Sequence, residues 1–472
     1  MITIFFDIES GIPKYEQLYT QIKDMIQDNK LIANEKLPSK RRLAHHLEIS
    51  QITVETAYAQ LKAEGYIRSV EKSGYFVEPF TKLTIPQRTE EMENQTIKAK
   101  VKTYHYDLKT SKVDELSFPY ELMAKFNRDS YLDGFNQRIN DSELLGFKEL
   151  REEIQTYLLA YRGIKTNIDQ ILICSGSEHM IQMILFLLGK NQRYAIETPG
   201  YPKSKKLYEA FGVKLDFISL DESGMDIEEI NKTTSNILHI SPSHQFPTGI
   251  VMPIKRRMEL LSWANESKTR YIIEDDYDSE FRFSGNPIPA LKGLDSFDKV
   301  IYLNSFSKSL SPTLRISYMV LPKPLATILL DRYSFYANPV PIHDQVALSL
   351  FLKSKGFERH LNRMKLIYKE KRDLFIELLK RSAFGSVIKI EGEEAGLHFT
   401  LSFLDETDEL QMIDYAKKQD LKIYGMEEFR FVSEDRPVTT FVIGYGSVKI
   451  EEFKEIVKRF ERAWKNARNK IN

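Results

Sequence analysis

The chain is nearly devoid of cysteine, with Cys174 its one thiol in 472 residues. That excludes an internal disulfide and fits a reducing compartment. It also lacks net charge, since 67 basic residues balance 67 acidic ones. No global basic field therefore advertises nucleic acid, and any such binding must come from a local patch. No uninterrupted apolar run reaches the ~18 residues that a membrane span needs. The opening Met-Ile-Thr-Ile-Phe-Phe-Asp has neither a basic n-region nor a long apolar stretch, which predicts no secretory leader and a cytoplasmic protein. The nine histidines show no metal-ligand spacing, and His45-His46 reads as a polar helix face, so no metal is expected. What remains, at 42% apolar and 28% charged residues, is an ordinary globular composition. The length suits two or three domains.

The first 79 residues read as three helices and a hairpin. Leu18, Ile22, Met25 and Ile26 fall at helical spacing within 14–29. Ser39 is placed to cap a second helix through Leu47, and Ser50 to cap a third through Ala63. Gly65-Tyr-Ile-Arg68 and Gly74-Tyr-Phe-Val77 then alternate as two short strands. This is the order of a winged helix-turn-helix, whose third helix enters the major groove. The ordered pattern L-P-S-x-R-x-L-A, S-x-x-T-V, A-Y-x-x-L, E-G-Y-I and G-Y-F-V resembles the GntR family of bacterial regulators over residues 10–78. Residues 1–78 are themselves nearly neutral, yet Lys36, Lys40, Arg41 and Arg42 cluster without an acid among them. The resemblance implies contacts to DNA from Lys40 and Arg41 on the second helix, from Gln51 and Thr53 on the third, and from Lys72, Ser73 and Gly74 in the wing. Gln51 stands where the family commonly has arginine, and Glu55 would repel phosphate unless paired. Residues 80–104, with Pro86 and many charges, read as a linker. Within them, Gln87–Val101 leaves a docked helix open.

From residue 105 to 472 short apolar runs alternate with helical stretches, which predicts a mostly parallel sheet with helices on both faces and a smaller C-terminal α+β lobe. Each run ends in chemistry-bearing residues. Ile171–Cys174 leads to Ser175-Gly176-Ser177 at a helix N-terminus, an arrangement suited to an anion. Tyr194–Glu197 leads to Pro199-Gly200-Tyr201, and Tyr271–Glu274 to Asp275-Asp276-Tyr277. In Asn304–Val320, Lys308 sits among Ser305, Ser307, Ser309 and Ser311, with Arg315 beyond. A partly desolvated lysine can condense with an aldehyde, and hydroxyls with a guanidinium suit a phosphate dianion. Together these suggest pyridoxal 5′-phosphate on Lys308.

The motifs S-P-S-H-Q-F-P-T-G, I-I-E-D-D-Y-D-S-E-F, S-F-S-K-S-L-x-P-x-L-R-I-S-Y and A-G-L-H-F resemble the fold-type I aminotransferases. Fused behind a GntR-type domain, they look like the MocR subfamily of transcriptional regulators. The resemblance implies that Lys308 carries the cofactor as an aldimine, Asp275 pairs its pyridine nitrogen and Tyr277 bonds its phenolic oxygen. It further implies that Ser175, Gly176, Ser177, Ser305, Ser307 and Arg315 hold the phosphate and that Tyr201 covers the ring. Two departures stand out. Phe246 replaces the asparagine that aminotransferases place before Pro-Thr-Gly, which argues against efficient turnover. The two arginines that bind an effector carboxylate in γ-aminobutyrate-sensing members are replaced by Lys203 and Glu428, leaving Lys203 and Arg430 as the candidates here. The expected function is a homodimeric regulator that binds operator DNA and senses either an amine or amino acid, or pyridoxal phosphate itself, through Lys308. A working aminotransferase with an appended DNA-binding domain is the alternative.

Overall fold

The computed structural model describes residues 2–7, 10–79, 102–132, 143–283, 289–433 and 438–468. The chain forms two compact units, residues 1–101 and 102–472. Most of the expected linker, residues 80–101, lies outside the described residues, as does the alternative helix at Gln87–Val101.

In the first unit α1 (Lys14–Gln27), α2 (Lys40–Leu47) and α3 (Gln51–Ala63) precede a hairpin of β1 (Ile67–Val70) and β2 (Gly74–Val77). Both serine caps form. Ser39 Oγ accepts from Arg42 N at 3.3 Å and Ser50 Oγ from Thr53 N at 3.1 Å, satisfying amides that the helix leaves unpaired. Leu18, Ile22, Ile26, Leu43, Val54, Ala57, Tyr58 and Leu61 close one core with Ile67 and Val77. The first strand starts later than the alternation predicts. Gly65 takes φ +79°, and Tyr66 N–H donates back to Leu61 O at 2.9 Å to close α3, while only its carbonyl faces the hairpin, accepting from Glu78 N at 2.9 Å.

The second unit is built on eight strands: β3 (Ile171–Cys174), β4 (Arg193–Thr198), β5 (Lys214–Asp221), β6 (Gly224–Met225), β7 (Ile237–Ile240), β8 (Tyr271–Asp275), β9 (Val300–Ser305) and β10 (Ser317–Val320). Their order across the sheet is β3-β10-β9-β8-β7-β4-β5-β6. The central run β9-β8-β7-β4-β5 is parallel, and β10 is inserted antiparallel between β9 and β3. β7, inside the parallel run, is buried throughout, as are the antiparallel β10 and its edge neighbour β3. Helix α4 (Lys148–Arg162) precedes β3, and α5 (Ser177–Leu188) and α6 (Pro202–Ala210) connect β3 to β4 and β4 to β5. The smaller lobe has a four-stranded antiparallel sheet, β11 (Ile388–Glu391), β12 (His398–Phe403), β13 (Tyr424–Gly425) and β14 (Thr440–Gly444). Two long helices, α8 (Gly356–Lys380) and α9 (Phe453–Arg468), accompany it; a one-turn α7 (Phe306–Ser309) follows β9. Among the described residues no helix is long and apolar enough to cross a membrane.

Candidate functional site

The carboxyl ends of β3, β4, β7, β8 and β9 are where the sequence concentrates its polar residues, and ligands of open α/β sheets gather at that edge. The period of two along β8 separates its neighbouring acids. Asp275 is partly exposed, with Oδ2 3.7 Å from His239 Nε2 at the end of β7. Asp276 faces the other way, fully buried, and accepts from Arg162 Nε at 2.8 Å and from the Tyr302 hydroxyl at 2.6 Å. Asp275 is thus left accessible at the sheet edge, and Asp276 braces the sheet. His239 is held in turn by the Tyr208 hydroxyl, 3.0 Å from Nδ1. Neither His239 nor Arg162 was singled out from the sequence, because their roles depend on strand order.

Lys308 sits on α7 just past the end of β9, and its amine donates to the Thr110 carbonyl. Residues 108–110 are pinned there because Gly444 N–H donates to Leu108 O at 2.9 Å. Burial pushes the Lys308 amine down to about 8, Asp278 opposing and Lys109 reinforcing that shift. A buried lysine so poised is a competent nucleophile toward a carbonyl near neutral pH. Ser305 Oγ donates to Ser307 Oγ at 2.7 Å and accepts from Ser307 N at 3.1 Å.

The turn after β3 meets α7 across the β3-β10-β9 strip. Arg315, at φ +54°, lays its guanidinium over Gly176, where a Cβ would come within 2.2 Å of Nη2. Glycine is therefore required on two counts, its own φ of +93° and the absence of a side chain. The Gly176 N–H is already taken by Ser317 Oγ at 2.9 Å, and that of Ser175 points at His179 Nδ1 at 3.4 Å. Gly176 thus contributes room for Arg315, with its own amide engaged elsewhere. Glu178, which the sequence reading passed over, ties together two of the predicted anion binders. It accepts from Arg315 Nη2 at 2.6 Å and from the Lys203 amine. Burial favours its neutral form, but the bonds from Lys203 and Arg315 prevail and hold its carboxyl down at about 2.

Above this edge lies an aromatic wall. Phe246 is buried with its ring edge-on to Tyr201 at 5.5 Å, to Tyr277 at 6.0 Å and to Phe429 at 5.4 Å. An amide is absent there, and a neighbouring histidine meets Tyr277 instead: its hydroxyl lies 3.1 Å from His244 Nδ1, which also contacts Asp278 at 2.9 Å. Burial disfavours charge on His244, but the Asp278 carboxylate outweighs it and raises its pKa. His398 shares this buried cluster, with Nε2 3.2 Å from Pro247 O. Burial, His244 and Lys308 together hold it well below the usual imidazole range. The fold assembles His244, Asp278 and His398 from distant segments, which residue spacing could not reveal.

Of the two effector candidates, Lys203 is committed to Glu178, and Arg430 Nε lies 3.0 Å from Glu427 Oε1. Both border the Pro199–Tyr201 turn, which is clamped by Gly200 N to Phe429 O at 2.9 Å and by Phe431 N to Thr198 Oγ1 at 3.0 Å. Glu428 is exposed. In the first unit Arg41, Gln51, Lys72 and Ser73 are exposed, while Gly74 takes φ +114° as the first residue of β2. Lys40 is instead partly buried and ion-paired with Glu55, which neutralises the carboxylate on α3. The Thr53 hydroxyl is 2.7 Å from Ser50 Oγ, serving the cap of α3.

The profile described as "Aminotransferase class I and II" matches residues 125–430, and that described as "Bacterial regulatory proteins, gntR family" matches residues 14–77. The chain is 37% identical over 469 residues to the HTH-type transcriptional regulator YdeL of Bacillus subtilis, covering 98% of this chain and 99% of that protein. It is 26% identical over 480 residues to the probable rhizopine catabolism regulatory protein MocR of Rhizobium meliloti, covering 98% and 96%. It is 29% identical over 402 residues to the pyridoxine biosynthesis regulator PdxR of Corynebacterium glutamicum, covering 85% and 86%. The fold is similar to that of the Pyrococcus horikoshii kynurenine aminotransferase, with a TM-score of 0.68 at 23% identity over 83% of this chain and 98% of that one. An aminotransferase-type sheet carried behind a GntR-type helix-turn-helix, matched end to end by regulators of the same build, places the chain in the MocR subfamily of GntR transcriptional regulators.

Proposed function

We propose that this protein is a DNA-binding transcriptional regulator that holds pyridoxal 5′-phosphate on Lys308 and uses it to sense a small amine or the cofactor itself. The observation that carries the reading is the buried Lys308 amine, held down at about 8, at the strand edge that also presents Asp275, Tyr277 and Arg315. When bound, the cofactor supplies an aldehyde that a lysine or an incoming amine can hold covalently. The chain's own residues fit it. Asp275 is available to a pyridine nitrogen, the Tyr277 hydroxyl to a phenolic oxygen, and the exposed Tyr201 ring to the flat face. Ser175, Ser177, Ser305, Ser307 and Arg315 are suited to the phosphate, with Gly176 making room. Lys203 and Arg430 stand at the rim for a carboxylate, each already partnered by an acid. A relative named for control of pyridoxine biosynthesis supports the cofactor as signal over a carboxylate-bearing effector.

On the DNA side, Arg41, Gln51, Lys72, Ser73 and Gly74 are the contacts we assign, with Lys40 and Thr53 shaping α2 and α3 beside them. Operator dyads and shared fold-type I sites both call for a homodimer. The test is fluorescence anisotropy of the full chain on DNA from upstream of its own gene, with and without pyridoxal phosphate. Saturable binding that changes at least threefold with cofactor, and does not change in Lys308→Ala, is expected. Steady transamination with an amino acid and 2-oxo acid pair, without cofactor-dependent DNA binding, would show an enzyme instead.

A further inference from the structure

A polar cavity of about 250 Å³ lies between the end of α4, the 279–282 segment and α8, and none of its walls is a residue assigned above to the cofactor. Its lining leaves buried polar atoms without partners among the described residues: Glu280 Oε2, Ser279 Oγ, Arg282 Nε and His244 Nε2. Glu280 is only 7% exposed. Its other oxygen accepts from the Tyr157 hydroxyl at 3.2 Å and Asn304 Nδ2 at 3.3 Å, so the carboxylate is fixed while Oε2 stays unmatched. Buried groups left in this way are costly, and natural proteins generally satisfy them with a ligand or ordered water.

Charge and size narrow the occupant. Two carboxylates, Glu280 and Glu358, face two cations, Arg282 and Lys365. Arg162 and His244 also line the cavity, but they are paired with Asp276 and Asp278 respectively. An ion of one sign would meet repulsion from half of this lining, whereas a molecule carrying both charges satisfies both halves. The volume lies below the ~300–1,000 Å³ of sites for drug-sized ligands, so the occupant is small. Burial, with Asp276 adding to it, pushes the Glu280 carboxyl up to about 7, and an ammonium beside it would restore the charged form.

We propose that this cavity is a second small-molecule site, separate from Lys308, that binds a small amino-acid zwitterion with its ammonium on Glu280 and its carboxylate on Arg282 and Lys365. The frame around it is firm, since Phe283 N donates to Glu394 O at 3.0 Å and Gly396 N to Phe281 O at 2.8 Å. The site also abuts both parts of the Lys308 centre: Asn304 precedes the lysine-bearing turn, and His244, a wall of the cavity, meets Tyr277.

The test is calorimetric titration of full-length Lys308→Ala protein, which cannot hold an aldehyde covalently, with glycine, L-alanine and β-alanine. At least one should bind saturably, one per chain. Binding should weaken tenfold or more when Glu280→Gln or Arg282→Gln is added, with melting curves confirming that each variant is folded. Arg282 is only half-buried, so its variant keeps the test valid if Glu280→Gln misfolds. Acetate and methylammonium, each carrying half the charge pattern, should bind at least tenfold more weakly than the zwitterion. No binding by any of the three would mean a water-filled cavity and overturn the proposal. Binding untouched by both substitutions, or matched by acetate alone, would overturn it too. Whether Lys308 holds cofactor is read separately, from wild-type absorbance, so the two proposals fail independently.

Discussion

Lys308 and Glu178 show how one buried or paired group sets the behaviour of a centre. Only the neutral lysine amine attacks a carbonyl, and the folded value of about 8 lies below the ordinary 10.5. Below pH 8 the amine is mostly protonated, so stopped-flow uptake of pyridoxal phosphate should quicken by about tenfold per pH unit up to 8 and level off above it. A rate that is flat from pH 6 to 8 would mean that Lys308 does not react. Glu178 holds the guanidinium that a phosphate would use. Replacing it by Gln removes a competing anion, and the cofactor Kd should fall by about threefold to tenfold in fluorescence titration. An unchanged or raised Kd would show Glu178 to be neutral or helpful. On the far face of β8, Arg162 and Asp276 are buried together. Arg162→Met would leave that carboxylate without its cation, and urea denaturation should report a loss of about 3–5 kcal/mol.

Helix ends carry the next scale. The Ser39 and Ser50 hydroxyls each satisfy one amide at the start of the two helices that would meet DNA. Ser50→Ala should cost about 1 kcal/mol in urea unfolding of the full chain, and Ser39→Ala a similar amount. Operator affinity should drop more for Ser50, whose loss also frees the Thr53 hydroxyl. These elements were legible in the sequence because capping residues and apolar spacing are local signals. So were β3, β4 and β8, continuous apolar runs ending in a turn of special residues. The inserted β10 was not, since S-Y-M-V follows the lysine loop without a break and only pairing on both sides makes it a strand. The half-exposed β5 likewise gave too weak an alternation. Among candidate site residues, those proposed at strand ends rest on local sequence pattern. Glu178, His239, His244, Asp278 and Glu280 acquire their partners from segments far apart in the chain, and no local pattern foretells that.

Over the whole molecule, a neutral chain must bind DNA through a confined patch, so the operator complex should be salt-sensitive yet involve few phosphates. Arg41→Ala should weaken binding about equally on all sequences and flatten the log K against log salt slope by about 1 per bound helix-turn-helix. A change confined to one operator sequence would instead make Arg41 a base reader. The central claim, however, is that an aminotransferase-type centre serves here as a cofactor-holding sensor. The measurement that bears on it most directly is the visible absorption spectrum of purified wild-type and Lys308→Ala proteins after incubation with pyridoxal phosphate and removal of the excess. A stable visible band is expected in the wild type and not in the variant. A wild-type spectrum without that band, or a band of equal strength in Lys308→Ala, would contradict it.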